Sequence, residues 1–293
     1  MSMPSEVRAE AEWVEVSPHR KLLRKLLRNR QSVTGFSVLF LVLVGAILAG
    51  PLSGYDPLEM AISDRLQAPS LQHLMGVDEY GRDIFSRVLH GARLSLEVGV
   101  AVMVFTTVFG VIFGLLAGYY KRLDNVIMRV MDAMMAFPAI LLAVAIMAAL
   151  GPNAINAIIA IGVVYTPRTV RVVRAAVFSV KKSEYIEAIR AQGAGDLRIM
   201  LRHVLPNCLS PLVVQATFNF AYAVLSEASL SFIGAGAPPP TPSWGNILSE
   251  GRIYMLEAPW ITVFPGVAIA LTVLGLNMAG DGLRDVLDPR MKV

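Results

Sequence analysis

Long apolar runs separated by short charged stretches dominate the chain. Residues 31–55, 98–120, 133–167, 208–226 and 261–280 carry no Asp, Glu, Lys or Arg. Most of these runs reach the roughly 20 helical residues that cross a hydrocarbon core about 30 Å thick. Gly151-Pro-Asn153 interrupts the 133–167 run, which therefore reads as two helices joined by a tight turn. The pattern predicts an all-α, polytopic membrane protein with six transmembrane helices. The spans start at about residues 33, 97, 133, 154, 209 and 261. A further short helix, from Arg82 to Arg93, is expected on the outer surface, because apolar residues recur there at 84, 85, 88, 89 and 92.

Composition agrees with this reading. Of 293 residues, 55% are hydrophobic and only 16% charged, whereas a soluble domain carries about a quarter charged residues. A soluble α/β protein with buried helices is thereby disfavoured.

Charge sets the expected orientation. With the N-terminus inside, segments 1–30, 121–129, 168–202 and 284–293 are cytoplasmic and hold 21 of the 26 Lys and Arg residues. Both termini are then cytoplasmic. About thirty residues precede the first span, which reads as an anchor and not as a cleaved signal. The formal charge of +4 is accounted for by topology and anionic lipid headgroups, so no nucleic acid is implied. Arg20, Lys21, Arg24, Lys25, Arg28 and Arg30 alternate with leucines, as in an amphipathic helix on the inner leaflet. The expected division is a cytoplasmic segment 1–30 and a membrane domain 31–293, with its core at about 95–290 and a polar loop at 183–207.

Several positions stand out. Gly110, Gly114 and Gly118, four residues apart, permit close helix contact, through either internal packing or dimerisation. Phe137-Pro138 in the third span, with Asp132 at its mouth, marks either a packing kink or a gate hinge. Arg168, Arg171 and Arg174 are placed at the inner end of span four, where their charges can reach headgroups. Three arginines near one end do not make a voltage sensor. Glu227 lies either in the outer headgroup zone, the simpler reading, or at membrane depth against a water-filled path or a partner. The outer segments carry Asp78, Arg82 and Asp83, and a Pro-rich loop ending in Trp244, expected to be interfacial.

The loop at 183–207 is the longest cytoplasmic connection. Ser183 is in position to cap a helix running to Gln192, Gly193 breaks it, and a second helix from Asp196 ends at Pro206. Two short helices meeting at a glycine suit a cleft in a partner.

Catalytic chemistry is missing. There is no Gly-x-x-x-x-Gly-Lys-Ser/Thr loop, the four histidines lack ligand spacing, and a single cysteine, Cys208, excludes an intramolecular disulfide. The chain reads as no enzyme, with no metal site and no cofactor of its own.

Glu187, Ala188, Gly193, Leu205 and Pro206 resemble the cytoplasmic signature of the permease subunits of binding-protein-dependent ABC importers. Ile189 and His203 depart from the general pattern, but Arg202-His-Val-Leu-Pro-Asn207 is similar to the dipeptide, oligopeptide and nickel permeases. Gly76–Asp83, Gly91–Ser95, Met131–Pro138, Leu230–Gly234, Pro239–Asn246 and Gly280–Asp285 fit the C-type member of that family's permease pair. The resemblance implies a type I importer fold and a paralogous B-type permease partner. It also implies two cytoplasmic ATPase subunits binding ATP and Mg, and an extracytoplasmic binding protein. Glu187 would pair with a basic ATPase residue, Gly193 would set the bend, and the expected location is a bacterial inner (plasma) membrane. The implied cargo is di- or oligopeptide; nickel, free or chelated, is the alternative, with glutathione and other small solutes behind it. A secondary transporter or a membrane scaffold would explain less, since neither accounts for both the docking loop and the glycine-rich, proline-kinked spans.

Overall fold

The computed structural model describes residues 24–287, so the expectations for residues 1–23 and 288–293, including Arg20, Lys21 and Arg290, lie outside the described residues. The described chain is helical: α1 (Arg30–Ile47), α2 (Ala49–Ser53), α3 (Ile84–Tyr119), α4 (Lys121–Met135), α5 (Ala139–Leu150) and α6 (Ala154–Lys181) come first. They are followed by α7 (Glu184–Ala191), α8 (Asp196–Ile199), α9 (Leu205–Phe232), α10 (Trp244–Gly251) and α11 (Trp260–Leu287). Side chains fix several starts. Asn29, Asp83, Asn153 and Ser243 accept hydrogen bonds from Ser32, Ser86, Ile155 and Asn246 amides at 2.7–3.1 Å, satisfying donors that a helix start leaves open.

Four helical stretches are long and apolar enough to cross a membrane: α1, α3, α8 through α9, and α11. The pair α4 and α5, bent by 94° at residues 136–138, makes a fifth if counted as one span. Helix α6 has 28 residues, but its arginines and Lys181 lower its apolarity.

Several expectations are corrected. The surface helix at 82–93 and the second span are one 36-residue helix, α3, because no proline interrupts the ladder and Gly91 and Gly99 are carried within it. Phe137 and Pro138 do not kink a continuous span. Pro138 disfavours helical backbone at Phe137, so α4 ends at Met135 and α5 starts after Pro138. The second loop helix does not stop at Pro206. It passes through a π-helical turn, Met200–Val204, into α9. Proline lacks an N–H and crowds the carbonyl four residues back, and the wider turn absorbs both.

The bundle is built on α3 against α6. A Cβ on Gly110, Gly114 or Gly118 would lie 2.4–2.6 Å from Thr169, Val173 or Val177 side-chain atoms. The glycine row is therefore internal packing, three hollows receiving three β-branched side chains. Helix α1 lies on α11, where Gly35 approaches the Ala279 backbone equally closely. One apolar cluster joins α3, α10 and α11 through Ile84, Val88, Trp244 and Ile261. A second fills the middle between α3, α5, α6 and α9. The third seats the polar loop: Ile186 and Ile199 pack with Leu115, Val173, Val177 and Val204.

Candidate functional site

The loop after α6 is anchored by few but specific contacts. Ile186 of α7 is 1% exposed and Ile199 fully buried, while Glu187, Ala188 and Gly193 face solvent. Ser183 occupies the N-cap position, yet its hydroxyl donates to the Val180 carbonyl at 2.5 Å and makes no cap bond. At the other end Gly193 has φ +84°. Its N–H reaches Arg190 O at 2.9 Å, and the Ala194 N–H reaches Ile189 O at 3.3 Å. These are the two bonds of a Schellman turn, which needs left-handed backbone and so favours glycine. Nothing lies within 4 Å of a Cβ at Gly193, so backbone conformation is the whole constraint.

A polar node ties the loop to the bundle. The Tyr119 hydroxyl, at the end of α3, donates to Asp196 Oδ1 at 2.6 Å and accepts from Arg190 at 3.0 Å. Lys181 donates to the Tyr119 carbonyl at 2.5 Å. His203 is half-buried and offers its carbonyl to Asn207 at 2.7 Å. Leu205 is half-buried and Pro206 exposed. Sequence reasoning passed over Tyr119, because an aromatic ending an apolar run carries no local sign of a partner 77 residues away. The exposed patch of α7 thus sits on a platform fixed to both α3 and α6.

At the opposite end of α3, Asp78 and Arg82 form an ion-pair network with Arg87 and Glu250, and Asp83 pairs with His73; sequence reasoning joined neither Glu250 nor His73 to this stretch. Arg82 meets Asp78 at 2.6 Å and Glu250 of α10 at 2.7 Å, and Arg87 meets the same Glu250 oxygen at 2.7 Å. Asp83 caps α3 and accepts from His73 at 2.9 Å. Both arginines are at most 3% exposed. Burial also raises the Glu79 carboxyl above its ordinary value, helped by the neighbouring Asp78 and Glu250 charges. This network clamps the 54–83 segment and α10 onto α3.

The remaining candidates are dispersed. Trp244 is 1% exposed and donates its indole N–H to Val88 O at 3.0 Å, so it is a core anchor and not an interfacial residue. Glu227 is 2% exposed. It accepts from Ser95 at 3.0 Å and Ser231 at 2.8 Å, which makes it a buried α3–α9 tie with partners of its own. Phe137 is 62% exposed at the α4–α5 elbow, apart from the other candidates. Among the described residues no group of three or more His, Cys, Asp or Glu is placed to hold a metal ion.

Residues 110–293 match the family model described as binding-protein-dependent transport system inner membrane component, and residues 17–69 match the N-terminal transmembrane domain of oligopeptide transport permease C. A Brucella suis biovar 1 chain, provisionally described as a peptide transport system permease protein, is 50% identical, covering 94% of each chain. A dipeptide transport system permease protein of Alkalihalophilus pseudofirmus is 46% identical over 99% of this chain and 95% of its own. A glutathione transport system permease protein of Escherichia coli O6:K15:H31 is 45% identical over 94% and 92%. In fold, the chain is similar to a chain of the MetNI methionine ABC transporter in an inward-facing conformation. The TM-score is 0.56 at 20% identity, covering 69% of this chain and 96% of that one. The loop, the α3–α6 pairing and these matches converge: the chain belongs to the binding-protein-dependent transport system inner membrane component family, as a C-type permease of the peptide/nickel ABC importers.

Proposed function

We propose that this chain and a paralogous B-type permease together form the membrane pathway of an ATP-driven importer for di- and oligopeptides. In this reading the chain makes six spans with both termini in the cytoplasm, α4 with α5 and α6 supplying the two beyond the four plainly apolar ones. Residues 31–293 form the membrane domain, in a bacterial inner (plasma) membrane. An extracytoplasmic binding protein delivers cargo, and two cytoplasmic ATPase subunits bind and hydrolyse ATP with Mg.

The observation that carries the reading is the platform at 183–207. An eight-residue helix exposes Glu187 and Ala188 while Ile186 and the Tyr119 node fix it to α3 and α6. A surface held this rigidly can pass a push from an ATPase cleft to the bundle as a two-state movement. Glu187 is the proposed ion-pair partner of a basic ATPase residue, and Gly193, His203, Leu205 and Pro206 shape the approach. The relatives named for dipeptide, peptide and glutathione transport support a peptide cargo over nickel.

The test is uptake of labelled dipeptide, pentapeptide and nickel by cells carrying the whole system, with and without Glu187→Arg. Peptide uptake that disappears in the variant, with the chain still inserted, supports both cargo and coupling. Nickel uptake without peptide uptake would overturn the cargo; undiminished peptide uptake in the variant would overturn the coupling role.

A further inference from the structure

Three arginines follow one another at three-residue spacing along α6, and they are not equivalent. Arg174 grips Asp124 of α4 through two bonds of 2.5 and 2.7 Å. Arg171 meets Asp132 of α4 at 2.6 Å. Arg168 has no carboxylate within ion-pair distance among the described residues. Its guanidinium carbon instead lies 5.0 Å from the Tyr165 ring centre and 4.9 Å from that of Tyr222. Those two rings stack at 5.7 Å with an interplanar angle of 11°, and the Tyr165 hydroxyl is fixed to Ser226 at 2.9 Å.

The place is as telling as the partners. Arg168 stands fourteen residues from Ala154 and thirteen from Lys181, about 20 Å from either end of α6 at 1.5 Å per residue. It is therefore mid-helix. In the importer reading α6 is a span, and a cation within a span is costly unless it faces water or an anion. The neighbouring helix offers a polar face. Gln215, Asn219, Tyr222, Ser226 and Ser229 follow one another on α9 at alternating steps of four and three residues, one continuous polar stripe in an apolar helix. Tyr222 in that stripe is 42% exposed. Asn219 continues the polar line inward to Thr106 and Thr169 at 2.9 and 2.8 Å.

We infer that Arg168, packed beside the stacked Tyr165 and Tyr222 rings, is a binding point for a carboxylate of the cargo on the wall of the translocation path. This rests on the importer reading above and adds the chemistry the wall recognises. The two tyrosines orient the fork and leave its outer N–H groups free for a carboxylate, the geometry arginine serves better than lysine.

The test uses the complete transporter in proteoliposomes with Arg168→Cys, since the chain's own Cys208 is fully buried. Uptake of a labelled dipeptide is measured before and after treatment with membrane-impermeant cationic, neutral and anionic methanethiosulfonates. Copurification of the ATPase subunits reports assembly, and Arg168→Lys is run alongside. The expected result is at least a tenfold loss of uptake in Arg168→Cys, restored to half or more by the cationic adduct alone, with Arg168→Lys retaining intermediate uptake. A cysteine that hydrophilic reagents never reach would overturn the inference, placing Arg168 against protein instead of the path. Equal rescue by the neutral reagent, or undiminished uptake before treatment, would also overturn it. A wild-type transporter that moves another solute and no peptide sinks the peptide reading separately. The same rescue series on that solute still decides: charge-dependent rescue for a solute without a carboxylate overturns the inference.

Discussion

The Tyr119 hydroxyl donates to Asp196 at 2.6 Å, so the last residue of α3 holds the first residue of the helix that re-enters the bundle. The same oxygen accepts from Arg190 at the end of α7. One phenol therefore joins both short loop helices to α3. Removing it with Tyr119→Phe leaves the ring and deletes the two bonds. The expected loss is about 1 kcal/mol of stability, read by thermal denaturation in detergent, with a larger fall in transport per ATP hydrolysed. An unchanged transport-to-ATP ratio would show that the node does not transmit coupling.

Gly193 is limited by its positive φ and not by space. Gly193→Ala should destabilise the turn by about 1 kcal/mol, the cost of holding an L-residue in left-handed backbone. The expected readout is weaker retention of ATPase subunits during purification. Gly195, with no positive φ and open space around it, is the control position and should tolerate alanine.

Gly114 has no such freedom to give. Val173 Cβ would lie 2.6 Å from a Cβ at Gly114, so Gly114→Val must push α3 from α6. Overpacking of this kind costs about 1–3 kcal/mol, and two branches facing a rigid helix place the effect at the upper end. Lower thermal stability of the purified chain, with intact membrane targeting, is the expected outcome.

Glu250 holds two buried arginines with one oxygen. Glu250→Ala leaves Arg82 and Arg87 sharing Asp78 as their close counter-charge, and stranding buried charge costs about 3 kcal/mol. Arg87 Nε and Nη1 already lack hydrogen-bond partners among the described residues. The variant should expose the 54–83 segment to protease added to intact spheroplasts, if that segment is extracytoplasmic as proposed. Glu250→Gln, which keeps the shape but loses the charge, should show the same direction with a smaller effect.

The carboxyl of Glu79 is raised above its ordinary value of 4.5, chiefly by burial. The folded state then holds the proton more tightly than the unfolded state does. Ionising Glu79 costs nothing extra below the ordinary value, and stability falls as pH rises from there through the folded value. Glu79→Gln should therefore flatten this part of the pH profile of thermal stability and raise stability at neutral pH. An unchanged profile would mean that the Asp78, Arg82 and Glu250 network governs it instead.

Much of the candidate site was legible because it depends on local chemistry. The helix Glu184–Ala191 and its break at Gly193 follow from short-range pattern and from glycine's access to positive φ. The cap expected at Ser183 did not form, because its hydroxyl donates to the Val180 carbonyl instead. Pro206 misled, since a proline that normally ends a helix was absorbed by a π-helical turn. Trp244 misled, and Glu227 stayed open between readings, for a different reason. Burial of a side chain at a helix end depends on what other helices bring to it, here Val88, Ser95 and Ser231.

By itself the sequence determined the apolar segments, the uneven distribution of basic residues and the glycine row of α3, since each is a property of composition or helical period. The tertiary structure decided which surface each element shows its neighbours. It set Gly110, Gly114 and Gly118 into the β-branched row of α6, gave Glu250 to Arg82 168 residues away, and left Arg168 beside two stacked tyrosines while its neighbours took the carboxylates of α4. The physical reason is that a helix repeats every 3.6 residues whatever lies beside it, whereas its rotation and register are set by packing against partners distant in the chain.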